Sequence, residues 1–288
     1  MSRTKIQYIS DVPPHDAIIE AVPGIGNVGK LVVDGLVASY DSKIIARILH
    51  PDMPPHATLD SEGLLRPPHL SIHSVSIGSQ TVLCICSDAQ PTTAAGQHEV
   101  AESILDFVKD HSDSRLYVLA GLAMDPEAQG IHVVCSEEGT RRSMEDHGIE
   151  VRTGQPESGM IGLAGLLVSL APLHEVEAVG LVADTVGGAT DARAAERLSM
   201  FVPDKFGLNI GMDLDRTQAI ASRLLESVGI SEYHQHESIP VLGLWEGSYV
   251  EWDGARGHLM GRARAFFRDS EPMDFEEGAL FDGNLAPK

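Results

Sequence analysis

Aromatic residues are scarce in this 288-residue chain: Phe, Tyr and Trp together make up 5% of it, although 43% of the sequence is hydrophobic. The core must therefore rest on Val, Ile, Leu and Ala, a composition that suits parallel strands covered by helices. Cysteine is nearly absent, and the three present are odd in number. They supply neither a disulfide framework nor a four-thiolate metal site, which points to a reducing compartment. Cys84 and Cys86 fall on one face of the apolar run TVLCICS and read as small buried hydrophobes. Positive charge is also in short supply: 21 Lys and Arg stand against 42 Asp and Glu, giving a formal net charge of -21. Such a field repels phosphate backbones and anionic lipid, so nucleic acid and membranes are excluded as expected partners, and basic or neutral surfaces are favoured. Long hydrophobic runs are missing too. The longest, around Met160 to Ala171, is too short to span a bilayer, and the N-terminal MSRTKIQYISDVPPHD has no signal-peptide hydrophobic region. A cytoplasmic protein is expected.

What is present is an alternation of short apolar runs and amphipathic helical patterns up to about Ile230, the signature of a layered α/β domain. AIIEAV is read as the first strand, followed by a glycine loop and a helix to about Ser39 with Asn27 as its N-cap. KIIARIL is the next strand. The proline-rich stretch from His50 to Pro68 reads as an extended surface loop. LSIHSVSI and QTVLCICS, separated by Gly78 and Ser79, read as a hairpin that makes the sheet mixed. A helix from Thr92 to about His111 precedes the strands RLYVLAG and IHVVCS, the polar helix EEGTRRSMEDHG and a short strand IEVRT. In ESGMIGLAGLLVSLAPL, Gly159, Gly162 and Gly165 fall three apart and leave one side of a predicted helix bare, for close packing within the chain or between copies of it. The strand EAVGLVAD follows, then helices from about Asp191 and Asp213. Beyond Ser231 the composition changes, with both tryptophans, repeated glycines and an acidic end. The expected organisation is a domain over residues 1–231 and an appended, partly flexible segment over 232–288.

The stretch PGIGNVGKL satisfies two phosphate-loop patterns at once: Gly24, Gly26 and Gly29 fit G-x-G-x-x-G, and Gly24 to Lys30 fits G-x-x-x-x-G-K. The second pattern needs a hydroxyl after its lysine to hold magnesium, and Leu31 stands there. The first has the required strand before it and helix after it, but the acidic residue at a suitable distance, Asp52, lies among Pro51, Pro54 and Pro55. Two roles for Gly24, Gly26, Gly29 and Lys30 stay open, a tight turn with close helix-on-sheet packing and an anion site at a helix N-terminus. The first is preferred.

Other chemistry finds little footing. Thirteen histidines show no metal-binding spacing; His234 and His236 are the closest pair, and His50, His56, His69 and His73 gather around the proline-rich loop. Neither Ser87 nor Ser158 has a base beside it. No catalytic set, metal or cofactor is expected. The segments CSDAQPTT and LAGLAMDP follow apolar strands, where α/β sheets open their crevice, so Asp88, Pro91, Gly121 and Asp184 mark the candidate crevice.

Taken in order, PGIGNVGKLVVDGLV, CSDAQPTT, YVLAGLAMDP and SGMIGLAGLLVSLAPL resemble the proteasome assembly chaperone family of the second-subunit type, over roughly residues 15 to 228. The resemblance implies a three-layer α/β/α sandwich with a mixed, mostly parallel sheet, similar to nucleoside phosphorylases and usually homo-oligomeric. It implies structural roles for Gly24, Gly26, Gly29, Pro91, Gly121, Gly159, Gly162 and Gly165. It also implies a non-catalytic protein whose partners are proteasome α subunits or assembly intermediates. Family members commonly dock through a C-terminal hydrophobic-Tyr-any tripeptide, and this sequence ends Ala286-Pro287-Lys288; Leu280 and Phe281 in EEGALFDGN are the candidate replacement anchor. The alternative is a nucleotide- or nucleoside-binding enzyme, ligase-like or phosphorylase-like, using the glycine loop, Asp88 and Asp184.

Overall fold

A computed structural model describes residues 3–59, 63–125, 127–151, 154, 159–187, 189–212, 215, 217, 218, 241–244, 248–252, 256–266 and 273–281. The chain divides into two compact units, Met1–Ala221 and Ser222–Lys288. The boundary expected at residue 231 lies outside the described residues, as do Ser158, Asp213, His234, His236 and the last seven residues.

In the first unit the strands are β1 (Lys5–Tyr8), β2 (Ala17–Ala21), β3 (Asp41–Leu49), β4 (Thr58–Leu59), β5 (Leu65–Arg66), β6 (Leu70–Ile77), β7 (Gln80–Cys86), β8 (Leu116–Ala123), β9 (Ile131–Cys135) and β10 (Ala178–Thr185). Interleaved with them are helices α1 (Val28–Ser39), α2 (Ala94–His111), α3 (Glu138–Asp146), α4 (Gly162–Leu170) and α5 (Ala192–Phe206). Eight strands form one sheet in the order β1-β3-β6-β7-β2-β8-β10-β9. At its centre β7, β2, β8 and β10 run parallel. Outside them β1, β3, β6 and β9 each run against a neighbour, so parallel pairing is a smaller share than the sequence suggested. The mixed α/β/α architecture is the expected one.

Alternation along the central strands divides the core into two layers. Ile18, Val22, Leu83, Ile85, Leu116 and Val118 share an apolar cluster with Val100, Ala101, Ile104 and Leu105 of α2 and Leu163, Leu167 and Val168 of α4. The intervening Leu119 faces the other way, onto α1, which packs against α5. Local chemistry fixes the element ends. Thr93 caps α2, its hydroxyl accepting from Gly96 N, and Asp191 caps α5 by accepting from Ala194 N. The hairpin turn at Gly78-Ser79 needs the positive φ of 62° that Gly78 supplies.

Three local expectations are corrected. The chain begins its sheet earlier, at β1, whose KIQY has one half-buried residue and three exposed ones and so carries no apolar signal. The proline-rich loop contains the two-residue strands β4 and β5. Ile149 to Val151 form no strand; the rest of the expected IEVRT strand lies outside the described residues.

The second unit contains two three-stranded sheets. One joins β11 (Val241–Leu244), β14 (Ala263–Phe266) and β15 (Met273–Phe275). The other joins β12 (Tyr249–Trp252), β13 (Gly257–Met260) and β16 (Leu280–Phe281). Leu259, Ala263 and Phe281 form its small buried core, with Phe275 packed edge-on against Phe281 at a centroid distance of 4.9 Å. Among the described residues no helix is long and apolar enough to cross a membrane.

Candidate functional site

The glycine loop leaves the carboxyl end of β2, turns through a short 3-10 helix at Ile25–Asn27 and enters α1. Gly29 lies directly on β8: a Cβ there would sit 2.7 Å from the Leu119 carbonyl carbon, closer than real Cβ atoms approach backbone. Gly121 on the same strand is crowded in the same way by the Ile25 carbonyl. Gly26 has φ 62° and faces Thr185, whose Oγ1 would be 2.5 Å from an added Cβ. Gly24 is exposed, and its amide donates to Asn27 Oδ1 at 3.3 Å.

Asn27 occupies the N-cap position of α1 but does not cap the helix with its side chain. Its Nδ2 donates instead to Ala189 O at 2.8 Å, and the Asp191 amide donates to Gly26 O at 2.8 Å. Asp191 Oδ2 accepts from the Thr185 hydroxyl at 2.7 Å. The turn after β10 is thus bonded to the glycine loop.

Lys30 points inward. Its buried Nζ donates to Ser87 O at 3.1 Å, to Asp88 Oδ1 at 2.9 Å and to Asp34 Oδ2 at 2.9 Å. Burial pushes the ammonium pKa down, but Asp34 and Asp88 outweigh it and hold the group above the usual lysine value. Burial raises Asp34, with Lys30 pulling the other way. All three ammonium donors have acceptors, so the lysine of the phosphate-loop pattern serves as an internal tie between α1 and the end of β7.

The expected crevice residues fall in two places: Gly121 and Asp184 lie one register step apart on the neighbouring strands β8 and β10, and Asp88 and Pro91 follow β7. Asp88 is exposed and bound to Lys30, and Pro91 is buried with its carbonyl accepting from Gln97 Nε2. Asp184 belongs to another network, on β10, three strands away from β7 across β2 and β8. Its Oδ1 meets His132 Nε2 at 2.8 Å, its Oδ2 accepts from Gly130 N at 2.7 Å, and both side chains are buried. An imidazole held by a carboxylate is half of a nucleophile-activating set. Here the other ring nitrogen, Nδ1, is buried with no hydroxyl or thiol bonded to it. Sequence reasoning singled out Asp184 and missed His132, because the pairing follows from β9 returning beside β10.

Asp52 is also engaged: its carboxylate accepts from the Thr93 amide and hydroxyl, each at 2.7 Å, and from the Thr92 hydroxyl. It anchors the proline-rich loop to the start of α2. Of the loop histidines, His50 Nε2 faces Glu99 at 3.3 Å, and among the described residues no three His, Cys, Asp or Glu side chains gather to hold a metal.

The three glycines of the apolar segment are not one helical stripe. Gly159 lies before α4, and both Gly159 and Gly162 have positive φ, 74° and 78°. Gly165 is crowded by the backbone of Met160 in its own entry segment, a close approach made within the chain. A cavity of about 670 Å³ lies beside this segment, lined by Gln97, His98, Cys135, Ile161 and Leu166 among others. The expected tail anchor is divided: Leu280 is 39% exposed, whereas Phe281 is 1% exposed and fills the core of the second unit.

Glu20 also escaped sequence reasoning. Glu20, in the middle of AIIEAV, is fully buried, and neither of its carboxylate oxygens has a hydrogen-bond partner. Burial pushes its pKa up to about 8. A polar letter in an apolar strand was its only signal.

Among solved structures, Pyrococcus furiosus PbaB, an archaeal proteasome activator, is similar over 82% of this chain and 100% of its own, at 22% identity and a TM-score of 0.64. P. furiosus PbaA, an archaeal homolog of proteasome-assembly chaperone, is similar over 80% of this chain and 93% of its own, at 19% identity and a TM-score of 0.62. An uncharacterized protein of Methanocaldococcus jannaschii, MJ1210, is 23% identical over 192 residues, covering 65% of this chain and 73% of that protein. The solved structures share the fold. Residues 18–224, which include the glycine loop, the ends of β7 and β8, and α4, match the PAC2 family, and the chain belongs to that family.

Proposed function

We propose that this protein is a non-catalytic, proteasome-associated assembly factor that acts through its surface on proteasome α subunits or on assembly intermediates. The observation that carries the reading is the glycine loop. In a PAC2 family member whose Gly29 presses on the Leu119 backbone and Gly26 on the Thr185 side chain, and whose Lys30 is held by three internal acceptors, the fold supplies shape rather than an anion pocket. Support also comes from the relatives of the same fold, one a proteasome activator and one a homolog of a proteasome-assembly chaperone. A cytoplasmic homo-oligomer belongs to the same proposal, with the unit Ser222–Lys288 as an appended module. The nucleotide-binding alternative is not favoured, since Asp88 and Asp184 sit in separate networks.

A native pull-down with the full chain as bait tests the role. Retention of proteasome α subunits or of incomplete rings is expected, and no association at physiological salt would overturn it. Calorimetry with ATP, NAD and nucleosides should give no heat; micromolar binding abolished by Gly26→Val would restore the enzyme reading. Light scattering of the same preparation reads the oligomeric state.

A further inference from the structure

The central strand β2 carries Glu20 between Ile18 and Val22, and its register partners are Ile85 on β7 and Val118 on β8. All four of those neighbours belong to the apolar cluster closed by α2 and α4, so alternation places the Glu20 side chain on that face. The helices bring no compensating charge. α4 has no ionisable residue, and those of α2 are exposed except Glu99, which is half-buried and bound to His50 and Arg3. Cys84 and Cys86 alternate onto the opposite face of β7, and burial, first among several causes, pushes the Cys86 thiol up to about 12. Asp184 and His132, on the neighbouring strands β10 and β9, bind each other. Such surroundings favour the neutral acid over the carboxylate.

The cover over this face has a weak entry. α4 begins without a side-chain cap, with Ile161 at the N-cap position and 85% exposed. Left-handed glycines stand on either side at 159 and 162. Gln90 ties the exit of β2 to the start of α4: its Nε2 donates to Pro23 O, and its Oε1 accepts from Leu163 N at a long 3.4 Å.

We propose that Glu20 is a proton-linked latch for α4: the neutral acid keeps the apolar layer closed on the sheet, and lifting of the 159–171 segment releases the carboxyl proton to solvent. The sign follows from linkage. In the open form the carboxyl has its ordinary value of 4.5, and in the closed form about 8. The closed form therefore binds more protons between those values, and opening becomes easier as pH rises through that window, then levels off above it. The proposal concerns regulation of the fold and does not rest on proteasome association.

Hydrogen exchange read by mass spectrometry on the full chain, with labelling times matched for intrinsic exchange, tests it. From about pH 5 to about pH 8, protection over residues 159–171 should fall by up to about tenfold per pH unit and then flatten. Peptides of α1 and β8 should hold theirs, and Glu20→Gln should remove the slope. The latch is overturned if wild type and Glu20→Gln follow one course, or if every peptide of the first unit loses protection together. Should Glu20→Gln fail to fold, the infrared difference between wild type and Glu20→Leu decides. A protonated carboxyl band at neutral pH that is lost near pH 8 together with the wild-type protection of residues 159–171 sustains the proposal, and a carboxylate already formed at pH 6, or a band lost with that protection unchanged, sinks it.

Discussion

Gly29 in α1 and Gly139 in α3 are both helical glycines, yet adding a methyl group at each has opposite consequences. At Gly29 the new carbon meets the carbonyl carbon of Leu119 at 2.7 Å and its Cβ at 2.9 Å, so α1 must move off the sheet. Gly29→Ala should cost about 3 kcal/mol, the scale of overpacking in a tight core. At Gly139 nothing lies within contact distance, and Gly139→Ala should stabilise the fold by roughly 0.5 kcal/mol through helix propensity. Urea unfolding followed by helical circular dichroism checks the pair; equal effects would mean that Gly29 is not pressed on β8. The contrast also marks the limit of reading at this scale. The spacing of Gly24, Gly26 and Gly29 was visible in the sequence, but a pyrophosphate and a neighbouring strand make the same demand for an absent side chain. Lys30 is similar: Asp34 at i+4 was within reach of helical spacing, whereas Asp88 arrives only because β7 lies beside β2.

Elements were legible where their own residues carry the pattern. β2, β7, β8 and β10 are nearly continuous apolar runs, because both faces of a central strand are covered, and each was readable as a buried strand. β1 was not, since an edge strand with exposed polar residues has no periodicity to report. The short β16 illustrates a third case. Leu280 and Phe281 looked alike as neighbouring apolar letters, but pairing with β13 sends Phe281 into the core and leaves Leu280 at the surface. Phe281→Ala should therefore cost the second unit about 3–5 kcal/mol, while Leu280→Ala should change it by about 0.5 kcal/mol or less. Proteolysis of the full chain, with cleavage over residues 241–281 followed in time, reads the difference. Comparable protection in the two variants would mean that Phe281 does not hold β13 and β16 together.

On the scale of the whole molecule, the property read most directly from sequence is the charge of -21, which needs no fold to be counted. What the fold adds is that, among the described residues, part of the scarce positive charge is already engaged: Lys30 is buried, while Arg115, Arg141, Arg142 and Arg264 each pair with a carboxylate. A surface of this kind should act on encounter more than on residence. Long-range attraction toward a basic partner is screened within about 8 Å at physiological ionic strength, whereas contacts formed after docking are shielded from salt. If the proposed partner, a proteasome α subunit, presents a basic surface, raising salt from about 0.05 M to about 0.5 M should slow association of the full chain with it by about tenfold or more and leave dissociation nearly unchanged. Were the association rate flat across that range, the negative field would have no part in finding the partner. A change confined to dissociation would instead place salt-sensitive ion pairs inside the contact itself.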